Sequence, residues 1–505
     1  MPGPRDRGVY AVPTAVALVK LLVHLPVLHR YGFHHDEFYF IACGRHPAFG
    51  YVDHAPLVPW IARVATTLFG ESVFGLRIFA TLAGALTIFL IGVLVARLGG
   101  GRFAQLLAGV AWFVAPVALR TGNMLAIPSF EPLFWVAGAL VLVRILKEDN
   151  PRLWPWLGLV AGAGLMNKHS MMFFGFGLAV ATVATPQLRK HLRTPWPWIG
   201  GAVVLLVFLP NVIWQVQHGW PTAGFLRDLN ENVMAGISKL QFVAGQLLYL
   251  NPFAAFVWIW GLVFLFSKAG KPWRPLGLIW IAVFLLLLAT DSKIYYLSPA
   301  YPPIVAAGGT AIERWIAAAG RRRRWEAVFV ALPITGGFLF APLALPYMSI
   351  QQTDRFVQTI TFGAMGNVYE LTGDLHGMFG WPERVEAVAD VWAQIPTDER
   401  PRTVLFAAGY GIAGAIDFLG DKHGVPDTVS LAETYWMWGL PEGPIDTVIA
   451  LGYSQETLER IFDNVEMLRE VELENVNPGS TPFRIAICRN PKQPLPGLWA
   501  RNRPW

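Results

Sequence analysis

Two short stretches near the N-terminus gather side chains able to do chemistry: His34-His35-Asp36-Glu37 and, about 17 residues further on, Asp53-His54. A positioned carboxylate can take a proton from a hydroxyl as a new bond forms, which is the work of a general base. The same residue types bind divalent cations, and Asp36, Asp53 and His54 are the possible ligands. No spacing among them is specific to a metal, so the sequence requires no cofactor, and the plainest alternative is a solvated, charged loop. A second set is cationic. Lys168 lies in Asn167-Lys168-His169-Ser170, and Lys293 precedes Tyr295, Tyr296 and Tyr301. Ammonium groups flanked by hydroxyls suit a phosphate through charge and hydrogen bonding. Asn123 and Glu131 stand at similar boundaries between apolar runs. Glu131 also fits an acid favouring a helix N-terminus, and the tyrosines also fit an interfacial aromatic belt.

The elements that must position these groups follow from composition. The chain has 505 residues, 54% hydrophobic and only 15% charged, with a mean hydropathy of +0.43. Soluble proteins carry about 25% charged residues, so there is too little polar surface here for several separate globules. That excludes a disordered chain, a cytosolic multidomain enzyme and a disulfide scaffold. Cys43 and Cys488 are far apart and give no metal-ligand spacing. The net charge of +6 is better explained by cytoplasmic loops than by a nucleic-acid partner. The fold class expected is an α-helical polytopic membrane protein.

A span needs roughly 20 mostly apolar residues. Eleven candidates lie near 9–28, 74–97, 103–119, 131–146, 154–167, 171–186, 196–216, 242–266, 275–290, 300–318 and 326–347. The first contains Lys20, which could snorkel, and His24; it reads as a retained anchor. Every second loop is basic: Arg97 and Arg102; Lys147 and Arg152; Arg189, Lys190 and Arg193; Lys268, Lys271 and Arg274; and the run from Arg321 to Arg324. Under the positive-inside rule this predicts a cytoplasmic N-terminus, an outward first loop at 30–73 and an outward tail. Lys168 and Lys293, the latter just after Asp291, break the rule, which favours a functional reading of both. The domains expected are a membrane domain over 1–348 and a soluble α/β domain over 349–505. In the tail, 403–408 and 447–451 read as buried strands, followed by helical patterns near 410–421 and 454–465.

These residues resemble the bacterial membrane glycosyltransferases related to family 39, the protein O-mannosyltransferase group, and the aminoarabinose lipid A transferases. The resemblance covers essentially the whole chain. It is carried by Asp36-Glu37, by Val52-Asp53-His54-Ala55-Pro56-Leu57, by Asn123 through Trp135, by Asn167-Lys168-His169-Ser170 and by Lys293 through Pro302. Tyr410-Gly411-Ile412-Ala413-Gly414-Ala415-Ile416-Asp417-Phe418 and Tyr435-Trp436-Met437-Trp438-Gly439 look like tail motifs of one bacterial subgroup. His54 departs from the lysine that the aminoarabinose transferases carry, and Ala55 from a frequent proline.

The resemblance implies a GT-C fold and inverting sugar transfer from a polyprenyl-phosphate donor at the outer face of the plasma membrane. Asp36 would be the catalytic carboxylate with Glu37 in support, and Asp53 would lie beside the donor phosphate. The loss of the lysine shifts phosphate contact to Lys168 and Lys293. A single carboxylate base fits an inverting displacement, whereas double displacement needs a second one as nucleophile. The acceptor is a lipid, a glycan or a protein. A lipid-linked sugar flippase or transporter without chemistry is the alternative, and a scaffold acting through its tail is a third.

Overall fold

The computed structural model describes residues 4–232, 237–290, 292–320, 322–363 and 367–505, so Asp291 and Arg321 lie outside the described residues. The chain forms two compact units. The first takes in Met1–Leu28, Arg77–Gly219 and Arg227–Leu345; the second takes in His29–Leu76, Trp220–Leu226 and Pro346–Trp505.

The first unit is helical. Among the described residues five helices are long and apolar enough to cross a membrane: Val73–Arg97, Ile127–Glu148, Trp196–Gln217, Lys271–Ala289 and Arg324–Ala344. Two bent pairs, Met171–Ala184 with Pro186–Arg193 and Lys239–Tyr249 with Pro252–Phe266, raise that to as many as seven. The other expected spans are helical but shorter, interrupted or, as in the 19-residue helix Tyr301–Ala319, less apolar. The segment at 103–119 divides into Arg102–Phe113 and Pro116–Thr121, and Pro116 opens the second piece. Proline lacks the N–H that would continue the first ladder, yet suits the first turn of a new helix.

With no hydrophobic force between helices in lipid, close packing rests on small residues. Gly261 on helix Ala255–Phe266 and Gly308 on helix Tyr301–Ala319 show it reciprocally. A Cβ on Gly261 would overlap the Ile304 carbonyl, and one on Gly308 the Val257 carbonyl. Lys20 does not snorkel. It is 1% exposed, its Nζ lies 3.0 Å from His24 Nε2, and it donates to the Ala118 carbonyl at 3.4 Å.

The second unit joins the first loop to the tail. Residues expected as open loop fold into two helices, His35–Arg45 and Leu57–Phe69. The tail carries a five-stranded sheet in the order β2-β1-β3-β5-β4, where β1 is Thr403–Ala407, β2 Thr428–Ser430, β3 Thr447–Leu451, β4 Phe462–Val471 and β5 Phe483–Pro491. Strands β1, β2 and β3 run parallel, and β5 pairs antiparallel with β3 and with β4. Alternate side chains point to opposite faces. Leu405, Ile449 and Leu451 pack with Val388, Val391 and Ile416 from helices Trp381–Gln394 and Tyr410–Leu419. Val404, Phe406, Val448 and Ala450 line the other face with Phe462. The helix expected at 454–465 is only Gln455–Glu459, and the chain then enters β4.

Helix Tyr410–Leu419 lies close against helix His35–Arg45. A Cβ on Gly411 would meet His35 Cβ at 2.7 Å, and one on Gly414 would meet the Phe38 carbonyl carbon at 2.9 Å. The small face of Tyr410-Gly411-Ile412-Ala413-Gly414 therefore sets the distance between the tail and the acidic stretch.

Candidate active site

In the second unit, helix His35–Arg45 starts with a capping box. The Asp36 N–H donates to His34 Nδ1 at 3.2 Å, and the His34 N–H donates to Glu37 Oε2 at 2.8 Å. Side-chain caps satisfy the orphan donors of a first turn. Glu37 is 0% exposed, and its Oε2 closes the cap. Asp36 differs: its side chain is 35% exposed. Its Oδ1 accepts the Tyr410 hydroxyl at 2.9 Å and lies 3.4 Å from His35 Nε2, while Oδ2 lies 3.7 Å from His34 Nδ1.

Asp53 stands in the connection between the two helices. Its Oδ1 accepts the Tyr39 hydroxyl at 2.6 Å. The Tyr39 oxygen also accepts the Thr434 N–H at 3.2 Å, and Thr434 Oγ1 accepts the Val52 N–H at 3.1 Å. The tail turn before helix Tyr435–Trp438 thus locks the segment bearing Asp53. His54 is 2% exposed; its Nδ1 lies 3.0 Å from the Ala55 carbonyl oxygen, and its Nε2 is 3.8 Å from Asp53 Oδ1 without a hydrogen bond. The Tyr39 and Tyr410 rings pack 4.7 Å apart, so the two carboxylates are tied to neighbouring phenols.

Glu433, in the same tail turn, faces both carboxylates. Burial pushes its carboxyl up to about 8, with the charges of Asp53 and then Asp36 adding to the rise. Burial and the adjoining Asp36 carboxylate likewise push the Tyr410 phenol far up, so it stays a donor. Deeper in the tail, Asp417 accepts the Thr428 N–H and hydroxyl, both at 2.7 Å, and the Tyr435 hydroxyl at 2.6 Å.

Among the described residues, ligand atoms of His34, His35 and Asp36 lie within 4.8 Å of one another. The residues that fit a divalent cation are therefore this trio. The set Asp36, Asp53 and His54 expected from the sequence is not such a group among the described residues.

The first unit builds a different group. Glu131, first residue of helix Glu131–Glu148 and 3% exposed, accepts Lys168 Nζ at 3.0 Å and the Ser170 hydroxyl. Lys168 lies between helices Trp154–Asn167 and Met171–Ala184. Its Nζ sits 4.6 Å from the Tyr296 ring centroid and 5.2 Å from that of Tyr295. Cation, carboxylate and two π-faces share one spot, an arrangement that holds a charge in place with little freedom. Lys293 begins the 3-10 helix Ile294–Ala300 that brings both tyrosines. His169 pairs with Asn211 at 3.3 Å, and Asn167 Nδ2 donates to the Ile127 carbonyl at 3.1 Å. Asn123 is fully buried, with neither amide atom hydrogen-bonded. Tyr301 belongs to the core: it packs edge-on to Trp258 and Trp280, and its hydroxyl donates to Gln246 Oε1 at 3.3 Å.

The model of the dolichyl-phosphate-mannose-protein mannosyltransferase family matches residues 53–214. The crystal structure of ArnT from Cupriavidus metallidurans in the apo state superimposes with a TM-score of 0.62 at 16% identity, over 96% of this chain and 98% of that one. The chain has the GT-C fold.

Sequence relatives agree with that assignment. A lipid A galacturonosyltransferase of Rhizobium johnstonii is 26% identical over 259 residues, 49% of this chain and 53% of its own length. An undecaprenyl phosphate-alpha-4-amino-4-deoxy-L-arabinose arabinosyl transferase of Pseudomonas fluorescens is 27% identical over 157 residues, 30% of this chain and 28% of its own. The chain thus spans about half the length of the first of these relatives and under a third of the second. The GT-C fold and the apolar helices among the described residues make it a multi-pass membrane protein. Within this GT-C chain, sequence reasoning did not single out Glu433, Thr434 or Tyr39. Glu433 is one acid in Leu431-Ala432-Glu433-Thr434, with no spacing to flag it.

Proposed function

We propose that this chain moves a sugar from a polyprenyl-phosphate donor to an acceptor hydroxyl, with inversion, at the outer face of the membrane. The observation that carries the reading is Asp36: a partly exposed carboxylate fixed by Tyr410 and flanked by His34 and His35. The names of the relatives support a lipid-linked donor, and lipid A is the acceptor named for one of them. For this chain the acceptor class is a lipid, a glycan or a protein.

Asp36 takes the proton of the acceptor hydroxyl as that oxygen bonds to the anomeric carbon. The bond from that carbon to the phosphate oxygen breaks, and the lipid phosphate leaves with the electron pair. A carboxylate in this role supplies roughly 10² to 10⁴-fold. Asp53, held by Tyr39, orients the donor or the acceptor. Lys168 and Lys293 meet the phosphate, where preorganised donors stabilise developing charge by about 3–4 kcal/mol each. Glu131 and Ser170 hold Lys168 in its rotamer. A divalent cation at His34, His35 and Asp36 would supply Lewis-acid stabilisation of a leaving oxygen.

The membrane domain over 1–348 would carry the donor and the soluble domain over 349–505 would contribute to the acceptor side. The basic loops support a cytoplasmic N-terminus and an outward tail. The test is turnover on purified protein with a polyprenyl-phosphate sugar. Release of lipid phosphate together with a glycosylated acceptor supports the reading, and movement of intact donor without cleavage rejects it.

A further inference from the structure

The sequence resemblance does not single out Glu433, yet the tail brings it to the two acidic stretches of the first loop. Its Oε2 is buried without a hydrogen-bond partner. Buried polar atoms are nearly always paired in native proteins, and an orphan calls for an explanation. Its backbone is at φ +41°, a left-handed conformation rare for a residue with a side chain. The turn is kept there by Thr434, which bonds to Tyr39 and Val52.

A second orphan lies nearby. His54, 2% exposed, has its Nε2 unpartnered and directed toward Asp53. An unbonded carboxyl oxygen from the tail and an unbonded imidazole nitrogen from the first loop thus flank the same carboxylate. Two unsatisfied polar atoms near one carboxylate match a ligand that brings its own donors and acceptors, which is what a sugar ring offers.

We propose that Glu433 is a substrate-binding residue of the Asp36–Asp53 site, its carboxyl donating a hydrogen bond to a hydroxyl oxygen of the bound sugar. This rests on the glycosyl-transfer reading above and gives the tail a direct part in the reaction. Donation requires the proton to stay on Glu433, and the surroundings favour that. The titratable groups facing it are Asp53 from the connecting segment, Asp36, Tyr39 and Cys43 from helix His35–Arg45, and Tyr410 from the tail helix. Each negative charge among these acids opposes ionisation of Glu433, while His54, 3.8 Å from Asp53, and His35, 3.4 Å from Asp36, would favour it only if they carried charge. The raised range, about 8, puts loss of the proton just above neutrality.

Two measurements on the full chain in detergent or nanodiscs test this. The first is isotope-edited infrared difference titration without substrate, comparing wild type with Glu433→Gln. A protonated-carboxyl band present at pH 7, absent in Glu433→Gln and lost as the pH rises past about 8, supports the proposal. An ionised Glu433 at pH 7 overturns it, whatever the activity. The second is the pH profile of kcat/KM. Glu433→Ala is expected to lose roughly tenfold or more, the worth of one hydrogen bond to a buried group. Glu433→Gln, whose amide can also donate, recovers most of that loss and abolishes the alkaline fall seen in wild type. A merely structural role would leave that limb in place, and an unmoved limb overturns the proposal. If the wild type shows the band but transfers no sugar, the glycosyl-transfer reading fails, and the assigned sugar contact fails with it. If wild type transfers sugar while the band is absent, only the role of Glu433 fails.

Discussion

The Tyr410 hydroxyl donates to Asp36 Oδ1 at 2.9 Å across 374 residues of sequence. This single bond fixes the rotamer of the carboxylate assigned as base and makes the tail part of its setting. Gly411 and Gly414 permit it, because any side chain there would push the two helices apart.

Removing the Tyr410 donor, as Tyr410→Phe, is expected to lower kcat by about tenfold while leaving membrane insertion unchanged, since one hydrogen bond to a charged group is worth roughly 1.5–3 kcal/mol. Gly414→Val should act on the same contact by sterics and lower both the melting temperature and kcat. A Gly414→Val protein with wild-type kcat would separate the helix contact from the chemistry.

Asp36 and Glu37 are adjacent, yet their variants should behave differently. Glu37→Ala removes a helix cap, worth about 1 kcal/mol of stability, and is expected to act chiefly on the melting temperature. The loss of kcat in Asp36→Asn should exceed that in Glu37→Ala by at least an order of magnitude, measured on folded protein with equal yield. Equal losses would return Glu37 to the reacting groups.

Lys168, 15% exposed, pairs with the buried Glu131, and removing one partner leaves the other charge poorly compensated, at a cost of up to about 3–5 kcal/mol. Lys168→Met and Glu131→Gln alone should therefore each reduce folded yield, by size-exclusion profile. The double variant should recover yield but not transfer. Recovery of both would make the pair purely structural.

The tail carries its own pH dependence. Burial pushes the Asp417 carboxyl up to about 7, against the downward pull of its bonds from Tyr435 and Thr428. An unfolded aspartate titrates near about 3.9. The folded form therefore keeps a proton that the unfolded chain releases, and this stability is fully present below about 4 and lost as the pH rises through about 7. The effect is on the order of a few kcal/mol. Thermal melts of the full chain between pH 5 and pH 8 should show the tail transition falling, and Asp417→Asn should flatten the slope. A slope unchanged in Asp417→Asn would remove Asp417 as its source.

Much of this architecture is legible in the sequence, for identifiable reasons. Strands β1 and β3 are parallel and buried on both faces, so Thr403–Ala407 and Thr447–Leu451 read as unbroken apolar runs. The misread helix at 454–465 has its own cause. Leu458, Ile461, Phe462 and Val465 fall at helical spacing, but the chain spends Leu458 on a short helix and Phe462 on an edge strand paired with β5. Span lengths were less readable, because prolines such as Pro116 and Pro252 break apolar runs that hydropathy joins.

Asp36, Asp53, Lys168 and Glu131 were singled out from the sequence because ionisable residues stand out between apolar spans. Glu433 and the Tyr410–Asp36 bond were not, since they exist only where distant segments meet. The possible cation ligands shifted from Asp53 and His54 to His34 and His35 because the helix start gathers adjacent side chains, whereas Asp53 bonds to Tyr39.

The most direct test of the central claim is the release of lipid phosphate by purified wild type and Asp36→Asn protein, each supplied with a polyprenyl-phosphate sugar and a hydroxyl acceptor. The wild type is expected to release phosphate in step with glycosylated acceptor. Asp36→Asn, folded and inserted to the same extent, is expected to release it some 10² to 10⁴-fold more slowly. Equal rates from the two proteins would contradict the assignment of Asp36 as the base.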